Sequence, residues 1–497
     1  MTSTTKSATG ISIRSVAYDN FQGLDVSRDV TSLDTGKNQH LSILNNGFCD
    51  WRGQIVRDPG AKHVKGDHSV LEVNFYSKRN VVYAEQDGAG VNLVSEDEHT
   101  DTGAFPLNSR ITSTVFNRGV HFFCEGEPSK IYDGTIYKTN GSPDLDKLRP
   151  GFGTSVARRM AVAGVPGRET QIFFSRVDND QIFPGDEPLD SASVLRAGTI
   201  DVANQLGTSE VITGLSKFEQ SRLAVFTDDR VLVFLIDPNI DLWALDDKAS
   251  INVGCVSHKT IVRAGSDILF CSRSGVHSLR RSAENGVTIE GSMLSEKIDI
   301  LYRELIASVE DVRDITAVYD QDMGQYHIFF PQRGGVLSKR LTMTVNARMD
   351  PKWSRGDFLN ARSGAFQGGR LVYGTSNGLF DVAKIEDVSE QHPVMEVVSP
   401  VLWHGSFTET KNVHSLLVQA DGIGEITLEC IDDIGRTIGS DVFEVNDRPD
   451  DNFYADVPLS RQYERKFEAR YRGAQYKLTV TGKGLCRVIG LGVILRK

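Results

Sequence analysis

The chain has 497 residues and a formal net charge of −11, with 66 Asp plus Glu against 55 Lys plus Arg. Hydrophobic residues make up 39% and charged residues 24%, a balance that excludes wholesale disorder, and the acidic excess excludes a global basic footprint for nucleic acid or anionic membrane. The length suits about three domain-sized units, or fewer if one is a large closed β structure.

The opening residues, "MTSTTKSATGISIRS", lack the apolar core of a secretion signal, so residues 1–39 read as a polar N-terminal arm. The longest aliphatic run, "VLVFLI" at 231–236, is far short of a bilayer span, and no membrane crossing is expected.

From about residue 40 to residue 385 one pattern recurs: an apolar run, a polar break with a turn residue, and a second apolar run. "RLAVFTDDRVLVFLID" from Arg222, "SDILFCSRSGVHSL" from Ser266, "QYHIFFPQRGGVLSKRLTMTV" from Gln325 and "RLVYGTSNGLFDV" from Arg370 each read as two strands joined by a tight turn. Anchors at Val81, Val120, Gln171, Leu223, Ile268, Tyr326 and Leu371 are separated by 39, 51, 52, 45, 58 and 45 residues. Periods of roughly 40 to 50 residues filled with short strands are the mark of propeller blades. The expected fold is therefore all-β, with a β-propeller body over 40–385. Glycines in the turns, Gly275, Gly334, Gly335 and Gly378, are expected to supply positive φ.

One segment departs from the pattern. "SEKIDILYRELIASVED" from Ser295 sets Ile298, Leu301, Leu305 and Val309 at helical spacing, which predicts a short amphipathic helix between two blades. Residues 386–497 then read as a separate β-rich, sandwich-like unit, since "KLTV" alternates apolar and polar residues and the turns carry glycine. Within it "RQYERKFEARYRG", 461–473, interleaves Arg and Lys with Tyr and Phe. Such a stretch, like "LRRS" at 279–282, could meet phosphates and bases, but alternating charge with buried aromatics is also how an edge strand or a subunit interface looks. Arg470 and Arg472 are the candidate interface residues.

Chemical motifs are missing. There is no Walker loop, no dinucleotide fingerprint and no zincin helix. "GTSNG" matches the nucleophile-elbow spacing around Ser376, but an elbow needs a strand-to-helix turn, and here a second strand follows, so Ser376 reads as a hairpin serine. Asp178, Asp180, Asp186 and Glu187 bunch in "VDNDQIFPGDE" without calcium-loop spacing and read as a solvated acidic loop. The six cysteines, Cys49, Cys124, Cys255, Cys271, Cys430 and Cys486, are scattered and read as isolated buried thiols of a chain folded in a reducing compartment. Cys255 and Cys271 lie near each other with no accompanying metal-ligand spacing. No catalytic residue, cofactor or metal site is expected.

Taken in order, "NFQGLDVSRDVTSL", "LSILNNGFCDWRGQIVRDPGAKHV", "IFFSRVDNDQIFP", "ITGLSKFEQSRLAVFTDDRVLVFLID", "GCVSHKTIVRAGSDILFCSRSGVHSL", "LSEKIDILYREL", "YDQDMGQYHIFFP" and "YKLTVTGKGLCRVIGLGVIL" give most of the chain a resemblance to the tail nozzle, or packaged-DNA stabilisation, proteins of short-tailed bacteriophages. Where relatives often carry Arg-Pro-Gly early in the chain, this one has Arg57-Asp58-Pro59-Gly60. The resemblance implies a non-enzymatic virion tail protein, made in the host bacterial cytoplasm, that forms a homohexameric ring. Its implied partners are the portal-adaptor ring, a tail spike or fibre, a tail needle or plug, and double-stranded DNA in transit without sequence specificity. The rival is a propeller module that binds or hydrolyses glycans of a phage or bacterial surface, whose marks would be repeated Asp-boxes or carboxylate clusters in several blades. A tail spike or adhesin would instead show a β-helix period or a coiled-coil stem.

Overall fold

Each apolar run can be buried on both faces only if its backbone groups are paired along a ladder, and that requirement turns the recurring pattern into antiparallel hairpins. The computed structural model describes residues 2–6, 12–27, 39–78, 80–117, 119–187, 193–207, 209–279, 293–333, 337–345, 351–382, 392–404, 408–447 and 461–496. Arg222–Thr227 pairs with Val231–Leu235, Asp267–Cys271 with Val276–Ser278, Gln325–Pro331 with Ser338–Val345, and Arg370–Thr375 with Gly378–Val382.

These hairpins belong to small sheets set around a ring. Four-stranded sheets occupy 69–105, 111–139, 152–201 and 212–245, and a three-stranded sheet occupies 262–278. In the last separate sheet, Ser363–Gln367, Arg370–Thr375 and Gly378–Val382 take Ala61–Lys65 as their outer strand. A segment from early in the chain thus fastens the final blade and shuts the ring. The remaining ring position holds a four-stranded meander, 316–356, whose strand Pro351–Gly356 also pairs with Ile43–Asn45 of a 15-stranded sheet. The first strands of successive units pack side by side around an axis, and the body is a β-propeller of six separate blade sheets with the meander completing the circle.

Neighbouring sheets are held by apolar clusters between them. Phe226 meets Phe270 edge to face, centroids 5.2 Å apart, between the fourth and fifth sheets, and burying rings of this size contributes about 1.5–3 kcal/mol each. All six cysteines are buried and free, and burial pushes the Cys49 and Cys271 thiols up to about 12.

The predicted helix is present as Asp299–Ser308 after a 3-10 turn, between the three-stranded sheet and the meander. The turn buries Ile298 and the helix Tyr302, with Leu301 and Leu305 half-buried against the core.

Three expectations are corrected. The Gln171 anchor sits on the third strand of its sheet, whereas the other six lie on second strands; the equivalent strand is Arg159–Ala163. Gly275 does not adopt positive φ. A Cβ there would lie 2.5 Å from Ser295 Oγ and 2.7 Å from Met293 Sδ, so close approach is what excludes a side chain. Gly334 and Gly335 lie outside the described residues.

The units, too, are divided differently from the expectation. The ring's first strand starts at residue 61, not 40, because the short strands between 43 and 57 join Met395–Val398 and Cys486–Arg496 instead. Ser12–Tyr18 is no free arm either, since it pairs with Cys486–Arg496. The 22-residue strand Lys411–Asp432 pairs through its first half with Arg461–Tyr471 and Cys486–Arg496, and through its second half with Thr437–Asp447 and Ala474–Thr481. Ala474–Thr481 shows the expected alternation, burying Ala474, Tyr476, Leu478 and Val480. Yet this region is not separate, because one cluster runs from Leu478 and Val397 through Leu44 to Trp353 and Tyr326 of the meander. Strands of three residues carry too little alternation to reveal a partner hundreds of residues away.

Candidate functional site

The ring's first strands and the 3-10 turn His258–Thr260 leave a cavity of about 410 Å3 at one mouth of the propeller axis, lined by Arg110, Glu125, Glu169, Asp228, His258 and Arg273 among others. Its floor is bridged across the axis. Lys259 Nζ lies 2.8 Å from Glu72 Oε2 and donates to the Leu71 carbonyl at 2.7 Å, joining the fifth sheet to the first, which are not ring neighbours. Glu72 Oε1 accepts from Ser113 Oγ at 2.8 Å. On the mouth side Arg110 binds Asp311 and Asp314 at 2.7 and 2.6 Å, again between elements that are not adjacent in the ring.

His258 stacks on Phe152 with centroids 4.8 Å apart, and its Nδ1 accepts from the Leu215 amide at 3.3 Å. Burial, aided by the Lys259 charge, lowers its pKa to about 4, so the ring is neutral near pH 7. The bond from the Arg313 side chain holds Asp311 down at about 2, with the nearby Arg110 and Arg313 charges assisting. Asp228 moves the other way, raised by its burial against the opposing charge of Arg273. Arg110, Lys259, Asp311 and Arg313 are thus held in ion pairs, which stiffens the opening. Among the described residues, no group of three or more His, Cys, Asp or Glu is placed to hold a metal ion.

The residues that the sequence singled out fall elsewhere and are not brought together. Ser376 occupies a two-residue hairpin loop, where Thr375 Oγ1 caps the turn by donating to the Gly378 carbonyl and accepting from the Asn377 amide. The acidic loop is less solvated than expected, because its carboxylates are bonded to neighbouring segments as well as to the loop. Asp186 accepts from the Asp144 and Phe183 amides, Glu187 accepts from the Ala197 amide, and Asp180 lies 3.2 Å from His121. In the 461–473 stretch, Arg470 and Arg472 are exposed while Tyr471 between them is buried and bonded to Tyr476 Oη at 2.7 Å. Arg470 Nε donates to Asn412 Oδ1 at 3.0 Å. Residues 280–282 of "LRRS" lie outside the described residues.

Sequence reasoning missed the half-buried ion pair Glu72 and Lys259 and the buried ion pair Asp58 and Arg340. It also missed Arg57, buried and donating through its guanidinium to the carbonyls of Pro393, Gly482 and Gly484 at 2.6, 3.1 and 3.0 Å. The unusual "RDPG" marked the place without giving the partners.

The ring defines the chain as a β-propeller protein. No family model and no curated protein matches it. Solved structures that align with it include YCF48 from Cyanidioschyzon merolae, at 14% identity over 65% of this chain and 98% of that one, TM-score 0.36. Virginiamycin B lyase from Staphylococcus aureus aligns at 8% identity over 66% of this chain and 97% of that one, TM-score 0.39. The extracellular domain of a hybrid two-component system from B. thetaiotaomicron aligns at 10% identity over 95% of this chain and 66% of that one, TM-score 0.41.

Proposed function

We propose that this propeller is a structural virion protein, a tail nozzle of the short-tailed phage type that retains packaged double-stranded DNA and lets it pass during ejection, without catalysis or cofactor. The observation that carries the reading is the shared core of propeller and C-terminal sheet, which makes one stiff body suited to a closed symmetric ring. The sequence resemblance supplies the partners: identical subunits in a homohexamer, a portal-adaptor ring, a spike or fibre, and a needle or plug. The site of action is then the virion tail, after synthesis in the host cytoplasm. The propeller axis is bridged by Lys259 and Glu72, so in this reading the DNA path runs between subunits. A net charge of −11 suits such a path, since an acidic wall avoids the counterion-release affinity of a basic one.

The test is electron microscopy and mass measurement of the purified protein, alone and with the portal-adaptor ring that this reading implies. A closed ring under either condition is expected; a monomer under both overturns the reading. A second reading, a glycan-binding or hydrolytic surface module, is favoured by the charged axial cavity of about 410 Å3. Release of reducing ends from host surface polysaccharide, lost on Asp228→Asn, would support it.

A further inference from the structure

The junction between the meander 316–356 and the closing blade is unlike the others in the ring. Its apolar cluster is small, built on Val318, Phe329, Ala361, Leu371 and Tyr373. Beside it the meander turns polar side chains toward the blade: Gln325 and His327 share a face with Phe329, and Arg340 is the cross-strand partner of Phe329. These three residues are only 5%, 4% and 8% exposed, and they line a cavity of about 270 Å3.

Gln325 Nε2, His327 Nε2 and Arg340 Nε are buried without a hydrogen-bond partner. Buried donors are seldom left so, because the bonds they lose to water are otherwise replaced. The Arg340 terminal nitrogen is engaged by Asp58. His327 Nδ1 lies 3.1 Å from Thr342 Oγ1; when that hydroxyl donates, the imidazole hydrogen sits on Nε2. Burial and the Arg340 charge keep the His327 pKa well below its ordinary value, so the ring is neutral. The cavity thus has the Gln325 and Arg340 N–H donors on one side, joined by His327 Nε2 in that tautomer. Asp320 and Asp322 offer acceptors, and Phe366 and Tyr373 offer aromatic surface.

We propose that this cavity binds a single neutral pyranose ring. An anion would meet Asp320 and Asp322, with Arg340 already neutralised by Asp58. A cation would face the N–H donors of Gln325 and Arg340. Sugar hydroxyls, in contrast, both accept from Gln325, His327 and Arg340 and donate to the carboxylates, while a C–H face of the ring rests on an aromatic wall. The volume sits just under the roughly 300–1,000 Å3 of ordinary ligand pockets, which suits one ring and not a chain. The site does not depend on the nozzle reading.

The test is calorimetric titration of the full chain with glucose, galactose and mannose separately. Saturable one-to-one binding of at least one is expected, weakened about tenfold by Gln325→Leu through loss of one hydrogen bond. Asp322→Ala, at the exposed rim, is expected to weaken binding to a similar degree and to leave thermal unfolding unchanged. If Gln325→Leu fails to fold, the rim variant decides alone. No saturable binding of any of the three sugars overturns the proposal, as does binding indifferent to the substitutions. Binding of galacturonate in place of the neutral sugars overturns it too.

Discussion

Lys259 reaches across the propeller axis to Glu72, Nζ to Oε2 at 2.8 Å, and ties together two sheets that share no edge. Both side chains are largely shielded, at 13% and 14% exposure. Removing one partner leaves the other charge shielded and unpaired, whereas removing both leaves no such charge. Glu72→Leu is therefore expected to cost about 2–3 kcal/mol. The double variant Glu72→Leu/Lys259→Met should recover much of that. Urea unfolding of the two singles and the double provides the cycle; additive losses would show that the pair is not coupled.

Arg57 is the corresponding tie between the ring's entry segment and the C-terminal sheet. Its guanidinium donates to backbone carbonyls of the 392–393 and 481–484 segments. An ammonium cannot reproduce that planar fork, so Arg57→Lys should lower stability by about 3 kcal/mol. Amide exchange should rise first in Ala474–Thr481 and Cys486–Arg496. Wild-type exchange rates in those strands would count against this role.

What the sequence makes legible here is local. Strands such as Asp267–Cys271 and Val276–Ser278 announce themselves through apolar runs around a turn, and the helix Asp299–Ser308 through its spacing, because those signals are carried by neighbouring residues. The pairings Ile43–Asn45 with Met395–Val398 and Ser12–Tyr18 with Cys486–Arg496 are set by contacts across nearly the whole chain. No local pattern encodes them, and the expected unit boundaries at 39 and 385 moved for that reason. The same holds for the site, since Glu72 with Lys259 and Asp58 with Arg340 are ordinary charged residues until the ring closes.

The hairpin at 376–377 separates two kinds of turn position. Ser376→Ala should change stability by no more than about 0.5 kcal/mol and leave function intact, since the turn is held by Thr375 and Gly378. Gly378→Ala should cost roughly 3 kcal/mol or more, because φ is 112° and a Cβ would lie 2.2 Å from the Gly66 carbonyl oxygen. Thermal melts of both variants check this, and loss of function in a folded Ser376→Ala would revive a nucleophile.

Acid should weaken the fold through its buried histidines. His277 is fully buried, and desolvation lowers its pKa to about 4, against about 6.5 unfolded. The unfolded chain binds the proton first as pH drops, so the stability contributed by the neutral ring is complete above about pH 6.5 and is lost as pH falls through about 4. The full loss from this one group amounts to about 3 kcal/mol. His277→Phe, beside Phe270 at a 5.7 Å centroid distance, should flatten that part of the stability profile between pH 6.5 and 4. An unchanged slope in the variant would exclude His277 as its source.

Assembly is the prediction with most bearing on function. Among the described residues, Arg461–Tyr471 pairs only with Lys411–Asp432, which leaves its other edge open. Its last residue, Tyr471, is buried against Tyr476, while Arg470 and Arg472 stand exposed on either side. An open edge bearing arginine is either protected against pairing or used for it. Under the nozzle reading it is used, toward a neighbouring subunit or the adaptor. Arg470→Glu/Arg472→Glu should then leave the melting temperature within a few degrees of wild type, since neither side chain contributes to the core. Ring formation or adaptor docking should fall, read as particle mass by light scattering with and without the adaptor, and infectious yield should fall with it. A variant that assembles and infects normally removes this edge from the interface. Loss of the ring together with loss of the fold would instead assign the two arginines to the stability of the strand.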